Sequence, residues 1–128
     1  MQSLTAEWVT KAEGDLATAM RELRARKAPN YDSACFHAQQ CAEKYLKARL
    51  QQAAIAFPRT HSLVVLLDLI LTLEPSWDAL RSDLAVLTSS AVEVRYPGES
   101  ADRADAKEAL RICQEVRVHV RMSLGLLT

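Results

Sequence analysis

Apolar residues recur every three to four positions through most of this chain, a spacing that predicts amphipathic α-helices. The clearest period covers residues 31–50, which we expect to form the central helix of the protein. One face of this helix is apolar and the other is polar, so it can pack inside a bundle and still present charged side chains. The apolar stripe consists of Ala34, Ala38, Cys41 or Ala42, Tyr45 and Ala48, and the polar face of Gln39, Gln40, Glu43, Lys44 and Lys47.

The same spacing predicts four further helices, separated by loops that contain proline or glycine. The predicted helices are 4–26, 31–53, 61–73 and 77–94, and a last one that begins at Ser100 or Asp102 and ends at Gly125. Side chains that can cap the first four are Ser3 or Thr5, Asn30 or Asp32, Thr60, and Ser76. The sequence therefore predicts an all-α, up-and-down four-helix bundle with one extra short helix, in a single domain of residues 1–128.

The overall composition narrows the range of functions. Sixteen Lys and Arg balance sixteen Asp and Glu, so any nucleic-acid site must come from local clustering of charge. The apolar run 62–73 contains Asp68 and is too short to cross a bilayer. The first ten residues lack the basic and apolar regions of a signal peptide. We therefore expect a cytoplasmic protein without a membrane segment.

The three cysteines, Cys35, Cys41 and Cys113, give no sign of a disulfide framework or a zinc site. Their number is odd and no CxxC pair is present, so we expect them to be small buried side chains. No H-E-x-x-H pattern or Ser/His/Asp spacing appears either, and we expect neither a metal nor another cofactor.

Three segments together resemble the HEPN domain family. They are ACFHAQQCAEKYLKARL at 34–50, FPRTHSLVVLL at 57–67 and VRYPGE at 94–99. The resemblance implies a helical bundle in a prokaryotic cell, commonly a homodimer, often encoded beside a minimal nucleotidyltransferase as a two-component, toxin–antitoxin-like system. Many members of the family are metal-independent RNases, in which Arg and His of an R-x4-6-H motif act on the RNA 2′-OH and phosphate.

The nuclease motif of that family is absent from this chain. At the required distances before His37, His61 and His119 there is no arginine, and the six residues after Arg95 include no histidine. The resemblance therefore implies the fold and a nucleotide or RNA ligand, without the usual catalytic pair.

Six residues are candidates for a site that binds a nucleotide or an RNA phosphate. Lysines of the central helix can hold a phosphate by charge, and the exposed amides at the start of the third helix attract anions. An Arg-Tyr pair at the end of a long helix can bind a phosphate and stack on a base. The candidates are Lys44, Lys47, His61, Arg95 and Tyr96, with Arg59 as an outer residue.

Each candidate also has a purely structural interpretation. Glu43 and Lys47 are four residues apart, an order that stabilises a helix by about 0.2–0.5 kcal/mol as a solvated pair. His61 can cap or pack the third helix. Arg95 can cap the fourth helix while Tyr96 packs against the second.

Three hypotheses follow for the function. The first is a nucleotide- or RNA-phosphate-binding module that acts with a minimal nucleotidyltransferase. The second is a metal-independent RNase with a displaced histidine, in which His61 is the general base and Arg95 stabilises the phosphorane. The third is an oligomerising scaffold without catalytic activity.

Overall fold

The structure is a computed structural model that describes residues 1–93 and 96–126, apart from the side chain of Glu93. Within these residues the chain forms five α-helices and one short 3₁₀ helix, and no strand. The helices are α1 (Ser3–Arg24), α2 (Tyr31–Gln52), α3 (Leu63–Ile70), the 3₁₀ helix (Pro75–Leu80), α4 (Arg81–Glu93) and α5 (Arg103–Ser123). The predicted all-helical bundle is confirmed.

Helix α2 is the centre of the bundle, as its pattern predicts. It packs against α1, α3, α4 and α5. The apolar stripe predicted for it is completely buried, including the ring of Tyr45. Small side chains dominate this stripe, and they let the neighbouring helices approach α2 closely.

The loop residues set where α2 begins and ends. Asn30 caps its first turn, because the Asn30 side chain accepts a hydrogen bond from the Ser33 backbone at 2.9 Å. At the other end Ala54 has a left-handed backbone (φ +58°), and the amide of Ile55 donates to the carbonyl of Leu50. This pattern of hydrogen bonds ends a helix by turning the chain back over its last turn.

Contacts between the helix ends give the direction of each long helix. Helix α1 runs antiparallel to α2, since the amide of Gln2 donates to the side chain of Gln52. The amide of Ala101 donates to Asp32 at 2.6 Å, whereas Arg121 donates to Tyr45. Helix α5 therefore runs parallel to α2 and antiparallel to α1.

Three of the predicted helix caps are wrong, and two of them belong to α1 and α3. Helix α1 is preceded by Gln2, whose side chain makes no capping bond, and Ser3 and Thr5 lie inside the helix. Helix α3 is capped by Ser62 instead of Thr60, so it starts after His61 and spans only 63–70. Thr60 instead accepts a hydrogen bond from the Ser62 amide.

The third wrong cap belongs to the predicted helix 77–94, which divides into two elements. Proline fits the first turn of a helix, so Pro75 begins the 3₁₀ helix and Ser76 lies within it instead of capping α4. Helix α4 then begins at Arg81. Its predicted end, Val94, lies outside the described residues.

Helix α5 follows its predicted signals closely. Asp102 and Asp105 form a reciprocal capping box, in which each side chain accepts from the other residue's backbone amide. Gly125 has φ +75° just after the helix and ends it, as predicted. The loop 96–99 is a turn closed by a hydrogen bond from the Glu99 amide to the Tyr96 carbonyl. None of the described helices combines the length and apolar character required to cross a membrane.

Candidate functional site

Three polar side chains on one face of α2 are buried, contrary to the expectation of a solvated face. Gln39, Glu43 and Lys47 follow one another at four-residue intervals and are only 2%, 3% and 7% exposed. The segment 53–62 covers them, with Phe57 packed against Trp8 of α1. The pair of Glu43 and Lys47 is therefore a buried ion pair, and the prediction of a solvated pair is wrong.

The Glu43 carboxylate is the centre of this polar cluster. One oxygen accepts from Lys47 Nζ at 3.0 Å, and the other lies 2.9 Å from His61 Nδ1. Gln39 Nε2 donates to the second oxygen at 3.4 Å. A buried carboxylate requires such partners, because burial without them costs several kcal/mol.

His61 is held at two points, yet most of its ring faces solvent. Its carbonyl accepts from Gln39 Nε2 at 3.0 Å, and its Nδ1 faces Glu43. Its side chain is nevertheless 73% exposed. When the Glu43 carboxylate is ionised it can only accept, so Nδ1 carries the hydrogen and Nε2 is left for another partner. The contact with Glu43 thereby fixes the orientation of an accessible imidazole.

A small pocket opens beside this histidine. Its volume is about 200 Å³, and Thr88 on its wall donates to Gln39 Oε1 at 3.5 Å. Tyr96 is four residues after Val92 on the pocket wall, so their Cα atoms are within about 14 Å of each other. The pocket is lined by Gln39, His61, Ser62, Thr88, Ala91 and Val92.

The structure separates the two predicted phosphate-binding lysines from this pocket. Lys47 Nζ is turned inward, 3.0 Å from Glu43 and 5.5 Å from the centre of the Trp8 ring. Lys44 pairs with Asp15 of α1, whose other oxygen lies 2.8 Å from His37 Nδ1. Both ammonium groups therefore have internal carboxylate partners, and Lys47 reaches His61 only through Glu43.

The other candidates are less constrained. Arg59 is exposed, two residues before His61 in the same loop. Tyr96 is 63% exposed after the end of α4, so it is not packed against α2. Arg95 lies outside the described residues.

A second ionic network joins α1, α2 and α5 and has a structural role. Arg117 holds the carboxylate of Glu13 with two hydrogen bonds of 2.9 Å, and Tyr45 donates to the same carboxylate at 2.8 Å. The hydrogen bond from Arg117 lowers the pKa of Glu13, and burial raises the pKa of Tyr45. This network keeps Glu13 charged and Tyr45 neutral, so it ties three helices together without leaving a group free to react.

The three cysteines are buried, as predicted, and Cys35 and Cys41 are poor nucleophiles. Burial raises the pKa of Cys35 to about 11. A hydrogen bond with Cys113 raises the pKa of Cys41 well above its ordinary value. Only a thiolate reacts readily, so the cysteine side chains add no chemistry to the pocket. Among the described residues, no three His, Cys, Asp or Glu side chains are arranged to hold a metal ion.

Sequence reasoning identified His61 but missed its partners. Glu43 is 18 positions away on another element, and Gln39 and Thr88 are further still. The four-residue spacing of Gln39, Glu43 and Lys47 is visible in the sequence. It does not reveal that the loop before α3 covers these side chains, and that loop creates the site.

The fold and the buried carboxylate with its exposed histidine define a helical bundle that carries a polar site on its central helix. The family model of the HEPN domain matches residues 5–122, and the chain belongs to the HEPN domain family. A comparison with curated proteins gives no significant match.

Two solved structures share the whole fold. One is TT1696 from Thermus thermophilus, at 24% identity and a TM-score of 0.76, with 94% of this chain and 98% of that chain covered. The other is ST0689, an archaeal HEPN homologue, at 27% identity and a TM-score of 0.75, with 96% and 98% covered. These similarities extend the HEPN fold over almost the entire chain.

Proposed function

We propose that this HEPN domain binds the phosphate of a nucleotide or of RNA at the pocket beside His61. The observation that carries the proposal is the exposed imidazole, fixed by a buried carboxylate, at the mouth of that pocket. A group that is both oriented and accessible is what a binding site requires.

The charges of the cluster suit an anionic ligand. Glu43 and Lys47 cancel one another, so a protonated His61 leaves the cluster with one positive charge. In that form Nδ1 keeps its bond to Glu43 while Nε2 donates to a phosphate oxygen. Charge-assisted hydrogen bonds of this kind are about twice as strong as neutral ones. Because this bond requires a charged imidazole, binding should be tighter at pH 6 than at pH 8.

Residues around the pocket supply the remaining contacts in this proposal. Arg59 adds charge from the same loop, and Tyr96 offers a ring on which a base can stack. Arg95, its neighbour in sequence, is proposed to hold the phosphate bidentately. Lys47 supports the site through Glu43 without touching the ligand.

The proposed partners follow from membership in the HEPN family. We propose a homodimer that acts with a minimal nucleotidyltransferase in a two-component, toxin–antitoxin-like system. A nucleotide-binding pocket suits such a partner, because both proteins would then handle the same class of ligand.

The test is a binding titration of the purified full chain with ATP, GTP and a short RNA, at pH 6 and pH 8. His61→Gln should weaken binding at pH 6 and abolish the pH dependence, because glutamine cannot take up the charge. His119→Gln is the matched control, since His119 lies on α5 beside Trp77, away from this pocket. Equal binding by wild type and His61→Gln would refute the proposal.

The contact between Glu43 and His61 also favours a second candidate, a metal-independent RNase. A carboxylate that orients a histidine is the arrangement of a general base, and His61 Nε2 could take the proton of an RNA 2′-OH. Arg95 would stabilise the charge on the phosphate. Cleavage of labelled RNA in EDTA, lost in both His61→Ala and Arg95→Ala, would establish this function. If neither cleavage nor binding occurs, the oligomerising scaffold is the function that fits.

A further inference from the structure

The end of α1 and the loop after it carry a dense cluster of positive charge, which we call the basic end. It consists of Arg21, Arg24, Arg26 and Lys27, four cations within seven residues. All four side chains are exposed. The acidic residue of the segment, Glu22, accepts a hydrogen bond from the Asn30 amide at 3.0 Å. In a chain without net charge, this is a marked local clustering.

The basic end combines this density of positive charge with a lack of carboxylate partners. Within the part of the chain that the structure describes, no ion pair involves any of its four cations. Several cations of α2 and α5 do have such partners, since Lys44, Lys47, Arg49, Arg111 and Arg117 each lie within 3.2 Å of a carboxylate oxygen. Other exposed cations without an ion pair among the described residues, such as Lys11, Arg59, Arg103 and Lys107, are not clustered in this way. The four charges are therefore available to an external anion.

Stabilisation of the helix dipole accounts for only half of this cluster. Arg21 and Arg24 lie in the last turn of α1, where a positive charge interacts favourably with the carbonyl end. That effect falls off within one turn, and Arg26 and Lys27 lie beyond the helix. Their clustering needs another reason.

An open groove lies beside these arginines. Its volume is about 570 Å³, with the side chains of Ala17, Met20 and Ala25 as its apolar part and Arg21 and Arg24 as its charged part. Glu13 of α1 contacts Arg117 of α5. The groove lies on the same face of α1, because Ala17, Met20 and Arg24 follow Glu13 at helical spacing. The pocket beside His61 is lined by residues of α2, α4 and the loop before α3. The groove on α1 is therefore a different surface from that pocket.

We propose that the basic end binds the sugar–phosphate backbone of a single-stranded RNA. Three of its four cations are arginines, whose planar groups bind phosphates with two hydrogen bonds. Arg21 and Arg24 are one helical turn apart, with Arg26 and Lys27 further along, so they can contact successive phosphates. The apolar part of the groove can cover a sugar or the edge of a base.

RNA fits this surface better than an anionic membrane does. A basic helix that binds membranes inserts exposed large apolar side chains beside its charges. The large exposed apolar residues that the structure describes all lie outside residues 5–64. The choice of RNA over other nucleic acids rests on the function proposed above. The proposal that this surface binds phosphates rests only on its charges and its groove.

The experiment measures binding of a labelled 12-nucleotide single-stranded RNA to the full chain at 50, 100 and 200 mM salt. Four phosphate contacts predict a slope of log affinity against log salt near −2.8, or about a fifty-fold loss across this range. Arg24→Gln/Arg26→Gln should halve the slope and reduce the loss to about sevenfold. The matched control is Lys11→Gln/Arg81→Gln, which removes the same charge elsewhere and should behave as wild type.

Other results would overturn the proposal. Equal salt slopes for the two double variants would show that net charge alone matters and that the basic end is not a site. Binding to phosphatidylserine vesicles but not to RNA would show that the ligand class is wrong. His61→Gln should weaken nucleotide binding without halving the salt slope of the RNA. Arg24→Gln/Arg26→Gln should halve that slope and leave the binding of ATP and GTP unchanged, so each of the two proposed sites can fail without the other.

Discussion

The buried Glu43 carboxylate offers the sharpest test of the structure. Substitution by glutamine keeps the size of the side chain and removes its charge. Lys47, only 7% exposed, then loses its carboxylate partner and faces an amide that cannot balance it. Breaking a buried pair by removing one partner costs about 3–5 kcal/mol. A cost of about 3 kcal/mol corresponds to a fall of about 12 °C in Tm for a chain of this length.

A double-mutant cycle isolates the pair. Lys47→Met should cost less than Glu43→Gln, because Glu43 keeps Gln39 and His61 as partners. The double variant Glu43→Gln/Lys47→Met leaves no unpaired charge buried. Its loss in free energy of unfolding should therefore be smaller than the sum of the two single losses by at least about 1 kcal/mol. Urea unfolding followed by circular dichroism measures all four free energies of unfolding.

The control is the exposed pair of Glu108 and Arg111 on α5. Glu108→Gln removes the same charge from a solvated pair and should hardly change the free energy of unfolding. If Glu43→Gln is as mild as Glu108→Gln, the Glu43–Lys47 pair is solvated and the burial described above is incorrect. His61 would then not be held in place for a ligand, because an unfixed Glu43 cannot orient it.

Three further predictions concern the rest of the fold. The hydrogen bond from Arg117 lowers the pKa of Glu13 in the folded state. The ionised Glu13 carboxylate therefore contributes fully to stability at pH values above 4.5, its ordinary pKa, and this contribution is lost as the pH falls through the lowered pKa. The stability difference between wild type and Glu13→Gln should therefore shrink between pH 6 and pH 3 in urea titrations. Tyr45→Phe removes a hydrogen bond to the same carboxylate and should lower the free energy of unfolding by about 1–2 kcal/mol in the same assay at pH 7. No change in stability would show that this network is not formed. Cys35 and Cys41 should not react with a thiol reagent at pH 7 until the chain is unfolded, and fast labelling of the native protein would contradict their burial.

The sequence by itself determined the number and order of the α-helices that the structure describes. The apolar period of α2 is strong because every position of its stripe faces the core, and local signals set several ends. Asn30 and Asp102 cap their helices with their own side chains, and Gly125 supplies a left-handed residue. Such signals act within a few residues, so a short stretch of sequence contains each of them. The three segments at 34–50, 57–67 and 94–99 likewise indicated the family.

Only the tertiary structure decided which polar residues are buried and which are free. The pattern of α2 predicts that Glu43 and Lys47 lie on a polar face. In the structure the loop before α3 covers that face, and its His61 contacts Glu43. Lys44 has its partner, Asp15, on another helix. Contacts between elements far apart in sequence depend on how the helices pack, and periodicity carries no information about them. The composition of the site was therefore decided by packing, although its central histidine could be found from the sequence.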